Sequence, residues 1–114
     1  MMPPERFAAV IRMTESNNDK RAFGDSGLAL TSYQVHPAWV WDQLEAGHFK
    51  PGVLDSWETW IGRMVAAFYG RNSIHMTDVE VAMYFHLGHP THAGNSDWDP
   101  NYAERFTTFA EHLA

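Results

Sequence analysis

Glu15 is the residue in this chain whose type and position best suit acid–base chemistry. It stands with Ser16 at the polar end of an amphipathic segment in which Phe7, Val10, Ile11 and Thr14 follow helical spacing. Breaking a glycosidic bond needs a proton for the leaving oxygen. A carboxylic acid supplies one near neutral pH when an apolar setting favours its neutral form. By itself, a glutamate at a helix end reads as a solvated charge. Two later segments change that reading. Tyr33-Gln34-Val35-His36-Pro37 places Gln34 nineteen residues after Glu15, and Tyr84-Phe85-His86-Leu87-Gly88 follows about fifty residues later.

In this order the three segments resemble the lysozyme-like superfamily of phage lysozymes and soluble lytic transglycosylases. The transglycosylase pattern has a glutamate followed by Ser, a polar loop, then Gly-Leu-Met-Gln-Ile, and later Ala-Tyr-Asn-x-Gly. Here Gln34, Val35 and Pro37 fit, while Thr31-Ser32 replace Gly-Leu. Gly88 is kept, Phe85 replaces the Tyr and His86 the Asn. The phage lysozyme pattern of Glu, then Asp, then Thr is met loosely by Glu15, Asp25 and Thr31.

The resemblance implies cleavage of the β-1,4 bond between N-acetylmuramic acid and N-acetylglucosamine in peptidoglycan, with Glu15 as general acid. It implies that Asp25 steadies an oxocarbenium-like transition state or orients a water, which Thr31 helps to hold. Ser16, Tyr33, Gln34, Phe85 and His86 are the expected substrate-binding residues. Asp25 also suits a turn beside Gly24 and Gly27, and Thr31 also suits a helix cap. Core packing is the alternative for Tyr33 and Phe85. Hydrolysis and the transglycosylase outcome, in which the sugar's own hydroxyl attacks, both stay open. So does a lysozyme-like fold that binds a partner, such as a host protein, without cleaving.

The elements that must position these residues read as mainly α. Pro3-Pro4 opens a first helix that ends near Ser16-Asn17-Asn18-Asp19. A Gly-rich loop or small hairpin spans residues 17–30. Thr31-Ser32 caps a second helix through about Ala46. Asp55 and Glu58 open a third, closed by Gly70, with Trp57, Trp60, Ile61, Met64, Val65 and Phe68 as its apolar stripe. Thr77 and Glu80 form a capping box for a fourth, ended by Gly88. His89 to Trp98 is a loop, and Asp99-Pro100 opens a fifth helix carrying Tyr102, Phe106, Phe109 and Leu113. The expectation is one lysozyme-like domain over 1–114.

Composition bounds the function. Apolar residues are 45% and charged residues 19%, enough for a compact core and too few charges for a disordered chain. The net charge of −6 argues against nucleic acid, which selects basic surfaces. It also suits a binding protein that presents negative charge to a basic partner. There is no cysteine, so disulfides and thiolate metal sites are excluded. His86, His89 and His92 are spaced by three, but Gly88 and Pro90 interrupt any shared helix, so no metal or other cofactor is expected. Met1-Met2-Pro3-Pro4-Glu5-Arg6-Phe7 lacks the basic start and apolar run of a signal peptide, and no segment has the length of a membrane span. The expectation is synthesis in the cytoplasm and action at the wall after release or export.

Overall fold

A computed structural model describes residues 2–19, 29, 31–45 and 56–113. Among them are five helices: α1 (Pro4–Ser16), α2 (Pro37–Glu45), α3 (Trp57–Asn72), α4 (Asp78–Leu87) and α5 (Pro100–His112). No extended strand occurs among the described residues; Ala29 and Val35 are isolated bridge positions. The mainly α expectation of about five helices holds. The proposed loop or hairpin around Gly24 to Gly27, with Asp25 and the proposed cap Asp55, lies outside the described residues.

The helix ends follow local chemistry. Pro4 starts α1, where a missing N–H costs nothing. Asn17 and Asn18 then take left-handed conformations, φ 55° and 66°. Their N–H groups bond back to the carbonyls of Met13 and Arg12, so α1 stops directly after Ser16. Thr77 and Glu80 form the reciprocal capping box of α4, and Gly88 ends it at φ 85°. Asp99 caps α5 by accepting from Asn101 and Tyr102 N–H.

The start of α2 differs from expectation. Residues 31–34 form a turn closed by Gln34 N–H to the Thr31 carbonyl, and the helix opens only at Pro37. Proline suits the first helical position and pushes the residue before it out of helical conformation, so a cap at Thr31-Ser32 is too far upstream. Thr31 instead sits at φ 67°, in a region β-branched residues rarely adopt. Its Oγ1 accepts from Tyr33 N–H at 3.2 Å. Ser56 caps α3, and the helix passes through Gly70 to Asn72. Ile61, Met64, Val65 and Phe68 are buried as the stripe predicts and Tyr69 joins them, while Trp57 is half exposed.

All five helices feed one core. Phe7, Val10 and Ile11 of α1 meet Ile61, Met64 and Val65 of α3, with Val81 and Met83 of α4 and Tyr102 and Phe106 of α5. Val40 of α2 and Tyr33 and Val35 of the turn complete it. Phe7 stacks on Tyr69 at 4.4 Å and tilts against Phe106 at 5.7 Å, which ties α1 to α3 and α5. Arg6 Nη2 donates to the Ala110 carbonyl at 2.6 Å, at the far end of the α1–α5 contact. No described helix is long and apolar enough to cross a membrane.

The turn is anchored from a distance. Glu58, in the first turn of α3, accepts from both the N–H and the hydroxyl of Ser32, which is fully buried. Beneath the turn, the Tyr33 hydroxyl occupies the space a side chain at residue 62 would need: a Cβ on Gly62 would lie 2.5 Å from it. We expect Glu58→Ala to strand the buried Ser32 N–H and cost about 1–3 kcal/mol. The readout is a lower urea midpoint at unchanged slope. An unchanged midpoint would show that Glu58 does not hold the turn.

Candidate functional site

Glu15 occupies the last turn of α1, and its side chain is 9% exposed. A carboxyl so enclosed needs hydrogen-bond partners. Its Oε2 accepts from the Tyr102 hydroxyl of α5 at 2.7 Å. The same oxygen lies 3.0 Å from Nδ1 of His86, near the end of α4. The imidazole and the Tyr102 ring are stacked, 3.9 Å between centroids and 12° apart in plane. Residues 15, 86 and 102, distant in sequence, therefore meet through one oxygen. Burial, and next the adjacent Glu15 charge, push the Tyr102 phenol well above the ordinary tyrosine range, so the hydroxyl stays a donor.

Glu15 opens onto a cavity of about 460 Å³, within the size range of small-molecule sites. Gln34, Phe85 and His86 line it with Glu15, so these four sequence-selected residues come together. Gln34 is held at φ 53°, with Nε2 donating to the Thr31 carbonyl at 2.8 Å. Phe85 is buried against Trp39, edge to face at 5.2 Å. Trp39 also lines the cavity, while Trp41 is exposed.

Three of the expected site residues do not line this cavity. Ser16 is engaged by backbone: Oγ donates to the Ser32 carbonyl at 2.6 Å and accepts from Asp19 N–H at 3.1 Å. That bond fastens the end of α1 to the turn. Thr31 is buried in the turn. Tyr33 points to the opposite side, where its hydroxyl accepts from Arg12 Nη1 at 3.4 Å and lines a second cavity with Glu58 and Arg63. Asp25 lies outside the described residues.

His36 and Asp42 line the Glu15 cavity without having been singled out. Asp42, a lone carboxylate on an exposed helix face, left no sequence signal. Tyr102 left a small one. It is the hydroxyl-bearing member of a stripe otherwise built from Phe106 and Phe109, and a buried tyrosine hydroxyl needs a partner. His89 pairs with Asp97 at 3.2 Å. His92 faces the Ala93 carbonyl, and the described residues contain no metal-holding group of His, Asp and Glu.

The chain matches no protein-family model, no curated protein and no solved structure.

Three buried phenols, Tyr33, Tyr69 and Tyr102, give the protein a titration signature. Burial, then the hydrogen bond to Asp78, pushes Tyr69 up to about 12, and burial also raises Tyr33 and Tyr102. Free tyrosine titrates near about 10. Raised folded-state values favour the neutral form in the fold. The stabilisation is whole below the unfolded value and is lost as pH rises through the folded values. We expect an absorbance titration of the folded protein to leave these phenols protonated after free tyrosine has ionised, and the urea midpoint to fall above about pH 10. Ionisation of all four tyrosines together near the free value in the folded protein would contradict this burial.

Proposed function

We propose that this protein is a peptidoglycan-cleaving glycosidase with a lysozyme-like fold. It acts on the β-1,4 bond between N-acetylmuramic acid and N-acetylglucosamine, with Glu15 as general acid. One observation carries the reading: Glu15, Gln34, Phe85 and His86, selected by order and type in the sequence, share one cavity. The turn adds support. Thr31 stands where the family pattern has glycine, and it adopts the left-handed conformation that glycine takes freely.

In this reading Glu15 protonates the glycosidic oxygen as the bond to the muramic acid carbon breaks. Gln34 hydrogen-bonds N-acetyl or hydroxyl groups, and Phe85 and Trp39 form the apolar wall beside them. Water then attacks in a muramidase, and the sugar's own hydroxyl attacks in a lytic transglycosylase. Action at the wall requires release or export, as in a phage-associated enzyme. A second reading, a non-cleaving binding protein, draws support from the net charge of −6, which opposes an anionic wall polymer.

We expect Glu15→Gln to leave folding intact and to lower clearing of purified cell walls about 100- to 10,000-fold. The amide keeps the shape and donates no such proton. Survival of activity within a factor of a few would assign the acid to another residue.

The second carboxylate decides between the two enzymatic outcomes. A muramidase needs one, and the candidates are Asp25 and, on the cavity wall, Asp42. We expect Asp25→Asn or Asp42→Asn to reduce hydrolysis sharply if products carry reducing ends. Neither should matter if products carry anhydro ends, which are lighter by one water. Reducing ends with no dependence on either carboxylate would move the water-holding role to Gln34.

A further inference from the structure

The Tyr102 hydroxyl and the Nδ1 of His86 converge on a single oxygen of Glu15, and this bears on which oxygen does the chemistry. Tyr102 is fully buried, so it touches no substrate. Its hydroxyl points at Oε2 at 2.7 Å. His86 Nδ1 approaches the same Oε2 at 3.0 Å. The stacked rings fix each other's orientation, and Arg105, 5.6 Å from the Tyr102 ring centroid, borders that ring as well. Asp99 holds the backbone of Tyr102 through its N–H at 3.1 Å, while His36 and Asp42 face the cavity from the turn and from α2.

An oxygen that accepts from two donors is a poor place for a proton. We infer that Tyr102 and His86 clamp Oε2 of Glu15, so that the proton given to substrate resides on Oε1. This rests on the glycosidase reading above. Tyr102 and His86 are then positioning residues, with the hydrogen of the imidazole on Nδ1. In the cleavage step the Oε1–H bond breaks and its proton passes to the glycosidic oxygen. The bond from the sugar carbon to that oxygen breaks, and its electron pair stays with the leaving oxygen. Glu15 becomes a carboxylate, whose charge the two donors on Oε2 stabilise. The attacking water or sugar hydroxyl bonds to the carbon and returns its proton to Oε1. The clamp fixes the carboxyl in one rotation and so aims Oε1.

Tyr102→Phe keeps the stacked ring and removes only the hydroxyl. On soluble glycan fragments of peptidoglycan, we expect kcat to fall about tenfold with KM unchanged within about a factor of two. A merely structural role would instead lower the folded fraction and leave the turnover of folded molecules alone. Unchanged kcat, or a loss confined to KM, overturns the clamp while leaving Glu15 as the acid. Neutron diffraction from acid-grown crystals of the unaltered protein tests the clamp without activity. The expected map has deuterium on Oε1 of Glu15 and the Tyr102 deuteron directed at Oε2. Deuterium on Oε2, or a Tyr102 hydroxyl turned elsewhere, overturns the inference. If the protein cleaves no glycan, the functional reading fails, and the neutron map still decides where the proton sits.

Discussion

The convergence of three helices on Oε2 of Glu15 is the constraint on which the site depends. α1 supplies the carboxyl, α4 the imidazole and α5 the phenol. Each donor is satisfied only if the three helices pack at one mutual position, so the polar contact specifies the arrangement that the apolar core stabilises. Charge-assisted bonds of this kind are stronger than neutral ones, and losing one partner inside a protein leaves the others poorly satisfied. A strong demand on geometry at one carboxyl is what positioning a general acid requires.

The turn over residues 31–35 is the second fixed point. It is held from two sides, by Ser16 at the end of α1 and by Glu58 at the start of α3. Two of its residues, Thr31 and Gln34, adopt left-handed conformations that L-residues with large side chains enter at a cost of about 1–3 kcal/mol. Strain of that order persists where surrounding contacts over-determine the backbone. Here those contacts place Gln34 on the cavity wall and Tyr33 on the opposite side. The turn thus separates two cavities, with Tyr33 on one and Gln34 and Val35 on the other.

What was legible in the sequence was local. The capping box of Thr77 and Glu80, the stop at Gly88 and the Asp99-Pro100 start depend on neighbours within one turn, so residue type reveals them. The start of α2 was misread because Ser32 looks like a cap, whereas its N–H and hydroxyl are taken by Glu58, 26 residues away. The phase of α3 was legible, since Ile61, Met64, Val65 and Phe68 are buried; only Trp57, at the first position of the helix, is half exposed. Glu15, Gln34, Phe85 and His86 were legible through their order along the chain. Asp42 was not, and Tyr102 only as a hydroxyl on an apolar stripe, because their places in the site come from tertiary proximity and leave no spacing to read.

The central claim is that this cavity cuts glycan strands, and the most direct measurement is mass spectrometry of what the folded protein releases from purified peptidoglycan. The account predicts soluble fragments whose new ends are muramic acid, reducing or anhydro. No release from acidic to neutral pH by a sample shown to be folded, or fragments cut instead on the other side so that glucosamine forms the new end, would contradict it.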